Sequence, residues 1–189
     1  MDLLPFKHLI FDFDGTLFSL KLPWQEHFKE PLLKKLYELD PTLEDFKCKR
    51  TGEKINESVR RHGEIAWKLD RELLKEFESK YLQGVTEIKV WTDYLRKFHD
   101  KHKLYLWTSN SQSTVEPILE EAGLLDYFEQ IVAAGSVKLI KPEPDGFYLI
   151  FKPGSQKKTD YAMIGDSKAD RGAAEAAGIT FIPAIEELF

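Results

Sequence analysis

The segment His8-Leu9-Ile10-Phe11-Asp12-Phe13-Asp14-Gly15-Thr16 decides the fold of this chain. Its first residues form a short, mostly apolar run, which is typical of a buried strand. The run ends abruptly in acids, a glycine and a threonine, and these residue types favour a turn. We therefore predict a strand over residues 7–12 whose carboxyl end leads directly into a polar loop with Asp12 and Asp14.

Strand and helix patterns alternate along the second half of the chain. Short apolar runs predict further strands at residues 103–108, 130–134, 161–164 and 179–182. Amphipathic stretches between them predict helices, and Gly123 and Gly178 stand where two of these helices are expected to end. Such alternation implies an α/β fold, a doubly wound parallel sheet of the Rossmann-like type with helices on both faces.

A different pattern separates the first strand from the others. From Trp24 to about Tyr81, apolar residues recur at helical spacing among many lysines and glutamates, which predicts several helices and no strands. We therefore expect a Rossmann-like core made of residues 1–16 and 89–189. A small α-helical cap of residues 17–88 is inserted after the first strand.

The composition of the 189 residues disfavours several classes of protein. The net charge is −5, so a nucleic-acid backbone is not an expected partner. The longest apolar stretches are far shorter than the roughly 20 residues of a transmembrane helix, and residues 1–5 do not resemble a secretory signal. Cys48 is the only cysteine, so no internal disulfide is possible. We expect a cytoplasmic monomer without a membrane partner.

Polar side chains follow four of the predicted strands. They are Asp12 and Asp14 after the first strand, Thr108, Ser109 and Asn110 after the second, Lys141 after the third, and Asp166 and Asp170 after the fourth. In open parallel sheets, ligands bind beyond the carboxyl ends of the strands. We therefore expect these side chains to converge on one cleft.

Three of these residues, Asp12, Asp14 and Asp166, form an expected metal site. Grouped carboxylates repel one another and are costly to desolvate, so such a group normally holds a hard divalent cation. Oxygen-only ligands favour Mg²⁺ over zinc, and the five histidines show no spacing that would build an imidazole site. Asp170 is expected to order a water or to position Lys141, although an acid there could also be a first-turn residue favoured by the helix dipole.

Together these groups could hold and transfer a phosphoryl group. Asp12, last on its strand, is placed to attack phosphorus and form an aspartyl-phosphate. Asp14 can donate a proton to the leaving group and then accept one from water, while its backbone carbonyl faces the metal. The expected ligands of the phosphoryl oxygens are Thr108, Ser109, Asn110 and Lys141.

Four motifs at these positions resemble those of the haloacid dehalogenase superfamily, in order and at suitable separations. They are Phe11-Asp12-Phe13-Asp14-Gly15-Thr16-Leu17, Thr108-Ser109-Asn110, Lys141-Pro142-Glu143-Pro144 and Gly165-Asp166-Ser167-Lys168-Ala169-Asp170. The prolines around Glu143 match the turn of the family, which favours Lys141 over Lys138 as the phosphate-binding lysine. The helical insert resembles the small, C1-type cap that covers the active site in members acting on small molecules.

The resemblance implies a magnesium-dependent phosphatase that hydrolyses a small phosphorylated metabolite through an aspartyl-phosphate. Dehalogenation is not expected. The dehalogenases of the family have no acid at the position of Asp14, because a halide leaves without needing a proton. The segment of residues 47–52 resembles the cap loop that meets the substrate, and Arg50 is the expected contact. A solvated basic loop would have the same composition.

Two other functions stay open on the sequence. A phosphomutase would use the same intermediate, and His27 is similar to a hinge histidine of sugar-phosphate mutases, although it lies farther from Asp14 than expected. A signalling receiver domain also holds an aspartyl-phosphate beside a hydroxyl and a lysine. In receivers, however, the phosphorylated residue is mid-chain and no helical cap follows the first strand, which disfavours this reading for Asp12.

Overall fold

The computed structural model describes residues 3–47 and 50–184, so Cys48 lies outside the described residues. The strands are β1 His8–Phe11, β2 Phe18–Leu20, β3 Val85–Glu87, β4 Lys103–Trp107, β5 Phe128–Val132, β6 Tyr161–Gly165 and β7 Thr180–Pro183. The α-helices are α1 Glu30–Leu39, α2 Thr51–His62, α3 Glu64–Tyr81, α4 Lys89–Phe98, α5 Gln112–Glu121, α6 Asp145–Ile150 and α7 Lys168–Ala177. In this part of the chain no helix combines the length and the apolar character that crossing a bilayer requires.

Five strands form one parallel sheet in the order β5-β4-β1-β6-β7. β1 is central because its alternate side chains are buried on both faces: Leu9 and Phe11 pack into one hydrophobic cluster and Ile10 into the other. The predicted α/β fold with a doubly wound parallel sheet is confirmed. Its topology places the carboxyl ends of β1, β4 and β6 side by side.

Helices cover both faces of this sheet. Trp91 of α4 and Val115 of α5 are buried in the cluster on one face. Phe147 of α6 and Ala173 of α7 are buried in the cluster on the other. Each helix therefore turns its apolar stripe towards the sheet, which is how amphipathic helices stabilise a layered fold.

Strand boundaries differ from the predicted ones by one or two residues. The largest difference is at β5, which was predicted over residues 130–134 and spans Phe128–Val132. Its apolar run continues through Ala133 and Ala134, but Ala134 already begins a 3₁₀ turn. Apolar character alone could not distinguish the end of the strand from a buried turn.

The segment predicted as the cap, residues 17–88, also contains strands. β2 and β3 pair antiparallel, with Phe18 opposite Glu87 and Leu20 opposite Val85. Leu17, Phe18 and Leu20 belong to the hydrophobic cluster of the sheet and not to that of the cap helices. The stretch predicted to be helical, from Trp24 to about Tyr81, lies between these two strands. The strands themselves were not predicted, because three residues are too few to show a periodicity.

The remaining helices, α1 to α3, share a separate hydrophobic cluster. Leu32 and Leu36 of α1, Ile55 of α2 and Phe77 of α3 are buried in it. Ala134 from the loop after β5 joins the same cluster. The cap therefore has a core of its own and rests on the loops at the carboxyl end of the sheet.

Candidate active site

Asp12 directly follows the central strand and is 6% exposed. Its backbone N–H donates to Ile164 O at 2.9 Å, which continues the pairing with β6 by one residue. Its side chain receives a hydrogen bond from Lys141 Nζ at 2.6 Å. The nucleophile expected from the sequence thus lies at the carboxyl edge of the sheet beside the expected lysine.

Lys141 joins two carboxylates in the protein interior. Lys141 is only 4% exposed. Its ammonium group donates to Asp12 Oδ1 at 2.6 Å, to Asp170 Oδ1 at 2.5 Å and to Trp107 O at 3.0 Å. All three donors of the ammonium are satisfied. Burial alone would lower the pKa of Lys141, but the charges of Asp12 and Asp170 raise it above its ordinary value, so this lysine is a fixed cation.

Negative charge exceeds positive charge around this lysine. Burial, together with the nearby charge of Asp170, raises the pKa of Asp12 to about 7, although Lys141 opposes the shift. Burial and the charge of Asp170 also raise the pKa of Asp166. One ammonium does not compensate three neighbouring acids, which is the environment in which a bound cation is stabilising.

Asp170 combines the two roles that the sequence left open. Its Oδ1 accepts from Lys141, whereas its Oδ2 accepts from Ser167 N at 3.0 Å and from Ser167 Oγ at 2.6 Å. The Ser167 hydroxyl accepts in return from Asp170 N at 3.2 Å, which forms a capping box at the start of α7. A Cβ at Gly165 would lie 2.5 Å from Asp170 Cβ, so the close packing at this position requires glycine.

The acidic cluster differs in one member from the predicted metal site. Asp12, Asp166 and Asp170 each offer a carboxylate oxygen, and these oxygens lie within 4.8 Å of one another. Asp14 Oδ1 instead accepts from Leu20 N at 2.8 Å. Because both oxygens of Asp170 already have partners, the carboxylates best placed to bind a cation directly are those of Asp12 and Asp166.

Gly15 determines how closely the first loop approaches Asp166. Its φ of +85° lies in the left-handed region, and a Cβ there would be 2.5 Å from Asp166 Oδ2. Asp14, on the same turn, is half-buried; burial raises the pKa of its carboxyl group, and the Leu20 N–H opposes the shift. The turn therefore brings Asp14 and Asp166 to the same rim of the site.

The loop after β4 is held by its own side chains. Thr108 Oγ1 donates to Asn110 Oδ1 at 2.9 Å and accepts from Asn110 N at 3.0 Å. Ser109 and Asn110 line the cavity beside Asp12, whereas Thr108 is only 2% exposed and does not line it. In this structure, Thr108 orders the loop, and Ser109 and Asn110 line the cavity.

Glu78 on α3 also orders this loop, although it was not among the site residues expected from the sequence. Glu78 is fully buried, and Oε1 accepts from Asn110 Nδ2 at 2.8 Å. Its Oε2 accepts from Ser111 N at 3.0 Å, from Thr114 Oγ1 at 2.8 Å and from Ser111 Oγ. Residue 78 lies on the apolar face of α3, together with Leu74, Phe77 and Tyr81. An acid among these apolar residues is a feature of the sequence from which a buried polar role could have been predicted.

Asn56 makes a second connection between the cap and the core. Its side-chain amide donates to Ile140 O at 2.7 Å and accepts from Ile140 N at 2.9 Å. Nearby, Arg60 Nη2 lies 2.5 Å from Glu143 Oε1. Helix α2 is therefore bonded to both sides of the turn that contains Lys141.

A cavity of about 380 Å³ lies between the cap and the carboxyl end of the sheet. Its core side includes Asp12, Asp14, Ser109, Asn110, Lys141, Asp166 and Asp170. Its cap side includes Trp24, Phe28, Lys29, Thr51, Gly52, Ile55, Asp70 and Leu74. A volume of this size fits a small organic molecule.

Three residues that the sequence suggested for the site do not line this cavity. Arg50 precedes α2, does not line the cavity and forms an ion pair with Glu53. Lys138 is exposed and lines a different surface pocket. His27 is exposed and stacks on Tyr81 with ring centroids 4.3 Å apart, and it does not line the cavity.

A family model described as haloacid dehalogenase-like hydrolase matches residues 9–184. The match covers most of the chain, and the chain therefore belongs to the haloacid dehalogenase-like hydrolases. The family predicted from the four motifs is confirmed, and with it the assignment to an enzyme class, the hydrolases.

Curated relatives are similar in sequence. Fructose-1-phosphate phosphatase YqaB from Escherichia coli (strain K12) is 30% identical over 111 residues, which cover 59% of this chain and 58% of that protein. The alignment thus spans little more than half of that relative. A phosphoglycolate phosphatase from Nitrosospira multiformis is 27% identical over 188 residues, covering 93% of this chain and 81% of the relative.

The fold is also similar to solved structures. The HAD-hydrolase YfnB from Bacillus subtilis, whose crystal structure was determined bound to magnesium, has a TM-score of 0.52 and 20% sequence identity. The alignment covers 93% of this chain and 87% of that one. A likeness at this identity supports the fold, including the capped arrangement, and does not by itself assign an activity.

Proposed function

We propose that this protein is a magnesium-dependent phosphatase that hydrolyses a small phosphorylated metabolite through an aspartyl-phosphate. The observation that supports it most is the contact of Lys141 Nζ with Asp12 Oδ1 at 2.6 Å, beside a cavity that is also lined by Asp14 and Asp166. Two curated relatives are named as phosphatases of small esters. We further propose that the enzyme acts as a monomer in the cytoplasm.

Asp12 acts as the nucleophile in this mechanism. Lys141 occupies Oδ1, so Oδ2 is the oxygen that forms the bond to phosphorus as the bond to the ester oxygen breaks. The ammonium of Lys141 stays beside the reacting carboxylate and neutralises charge on the phosphoryl oxygens. Ser109 and Asn110 line the same cavity and supply polar groups to these oxygens.

Asp14 acts first as the general acid and then as the general base of the reaction. Its half-buried carboxyl group donates a proton to the departing alkoxide, which leaves as the alcohol. It then takes a proton from the water that attacks phosphorus and releases inorganic phosphate, which restores Asp12. The hydrogen bond from Leu20 N to Asp14 Oδ1 fixes this carboxyl group at the rim of the cavity.

The residues present fit a magnesium ion. The carboxylates of Asp12 and Asp166 and the backbone carbonyl of Asp14 would hold it, and oxygen donors of this kind are the ligands that Mg²⁺ prefers. When bound, the ion supplies positive charge against the acids and the phosphoryl group. Asp170 keeps its role beside Lys141, because its oxygens are already hydrogen-bonded.

Release of phosphate from phenyl phosphate tests the proposal. The wild-type protein should release phosphate with magnesium present, and Asp12→Asn should abolish turnover because an amide does not attack phosphorus. Lys138→Met, at an exposed lysine of another pocket, is the matched control and should retain activity. Undiminished turnover by Asp12→Asn would show that Asp12 is not the nucleophile.

A further inference from the structure

Asp70 is a buried acid on the cap side of the cavity, opposite the catalytic groups. It lies on α3, is 2% exposed and lines the same cavity as Asp12 and Asp166. Asp70 has no part in the proposed transfer of the phosphoryl group. A buried carboxylate is costly unless each oxygen is hydrogen-bonded or paired, so its partners are informative.

One oxygen of Asp70 has a partner and the other does not. Oδ2 accepts from Arg71 Nη1, and the Nε of the same guanidinium is bound to Ala134 O at 2.8 Å. Oδ1 is buried and has no hydrogen-bond partner among residues 3–47 and 50–184. Burial raises the pKa of Asp70, whereas the charge of Arg71 opposes the shift. Asp70 therefore lines the cavity and carries one buried acceptor oxygen that has no partner among the described residues.

The cap side of the cavity, which Asp70 lines, is mostly apolar, and Lys29 and Thr51 are its other polar residues. Trp24, Phe28 and Leu74 line the cap side of the cavity with it, and the aromatic rings of Trp24 and Phe28 lie 5.6 Å apart, edge to face. Faces of this kind pack well against the C–H groups of a bound molecule. Arg71 already compensates the charge of Asp70, so a neutral donor is sufficient to satisfy Oδ1.

We propose that Asp70 determines substrate specificity by accepting a hydrogen bond from a hydroxyl group on the alcohol part of the phosphate ester. The expected substrate is then a phosphate ester of a polyhydroxylated alcohol. A phosphate ester of a hydroxy acid is disfavoured, because its carboxylate would be repelled by the carboxylate of Asp70. This inference rests on the proposed phosphatase function. It distinguishes between the two chemistries named for the curated relatives, a sugar phosphate and phosphoglycolate.

Phosphate release from four esters tests it: a hexose 1-phosphate, 2-phosphoglycolate, 2-aminoethyl phosphate and phenyl phosphate. The hexose ester should have the highest kcat/KM of the wild-type enzyme. Asp70→Ala should lower kcat/KM for the hexose ester by about 10–100-fold more than for phenyl phosphate, because only the former offers a hydroxyl to the lost acceptor. Glu72→Gln, at an exposed residue of the same helix, is the matched control and should leave this ratio unchanged.

The outcomes are distinguishable. Equal losses for the hexose ester and phenyl phosphate, or a wild-type preference for phosphoglycolate or aminoethyl phosphate, would overturn the role of Asp70. If Asp70→Ala does not fold, Asp70→Asn decides: removing the negative charge should raise the kcat/KM of phosphoglycolate relative to the hexose ester, and an unchanged ratio would overturn the proposal. Absence of phosphate release from all four esters would instead contradict the phosphatase function itself.

Discussion

Lys141 Nζ lies 2.6 Å from Asp12 Oδ1, although 129 residues separate the two in the chain. Both are almost fully buried, and the fold brings them together because the loop after β5 passes over the carboxyl end of β1. The same ammonium also contacts Asp170. The ammonium group of Lys141 therefore connects three of the four sequence motifs.

Lys141→Met should inactivate the enzyme and destabilise it. The change leaves Asp12 and Asp170 buried without their counter-ion, and removing one partner of a buried pair costs about 3–5 kcal/mol. We expect kcat/KM for phenyl phosphate to fall by at least about 100-fold and the denaturation midpoint to fall with it. The exposed Lys138→Met variant should change neither quantity, and similar behaviour of the two variants would contradict the assignment of Lys141.

Asp170→Asn should separate the two roles of this residue. The amide oxygen can still accept from Ser167 at the start of α7, so the helix cap is largely kept, but the charge beside Lys141 is lost. The amide nitrogen then faces Lys141 Nζ, donor to donor, so we expect a clear loss in kcat together with a loss of about 1–3 kcal/mol of unfolding free energy. Ser167→Ala, which removes only the cap hydroxyl, should cost about 0.5–2 kcal/mol of unfolding free energy. Wild-type kcat in Asp170→Asn would show that Lys141 does not depend on this charge.

Asn56→Ala should disturb the turn that contains Lys141. Removing the side-chain amide leaves the N–H and the C=O of Ile140 without their partners, a loss of about 1–3 kcal/mol. Because Ile140 directly precedes Lys141, we expect kcat/KM to fall as well. Arg60→Ala removes the ion pair of α2 with Glu143 on the surface of the same turn and should cost less than about 1 kcal/mol. Chemical denaturation of both variants measures the two losses in unfolding free energy, and steady-state kinetics measures kcat/KM. Equal losses in the two variants would contradict the role given to Asn56.

Removal of divalent cations should abolish activity reversibly. A chelator should stop phosphate release and added Mg²⁺ should restore it, because the acids around Lys141 outnumber its single positive charge. Mg²⁺ should also raise the denaturation midpoint of the wild-type protein, since binding to the folded state stabilises it. Asp166→Asn should weaken this shift. Full activity in chelator, or an equal shift in Asp166→Asn, would argue against the metal site.

The sheet and the polar residues at its carboxyl edge could be predicted from the sequence, because both depend on local patterns. The apolar run ending at Asp12 marks the central strand, and Gly178 ends α7 in the left-handed conformation expected of it. The polar residues after the strands were found because parallel strands place their carboxyl ends at one edge. The short pair of β2 and β3 showed no periodicity and was missed.

The contacts of the cap with the core could not be predicted in the same way. Asn56, Asp70 and Glu78 are polar residues on buried helix faces, which periodicity can detect, but their partners are set by how the cap docks. Arg50 was chosen from its loop composition, and the structure pairs it with Glu53 outside the cavity lining. Sequence patterns therefore identified the residues on the core side of the cavity and left those on its cap side to tertiary packing.

The most direct test of the account is to look for the phosphoryl group on Asp12. After rapid acid quenching of the enzyme during turnover with Mg²⁺, peptide mapping by mass spectrometry should find one added phosphoryl group on the peptide that contains Asp12, and none in Asp12→Asn. Phosphate release without any phosphorylated peptide, or phosphorylation of a residue other than Asp12, would contradict it.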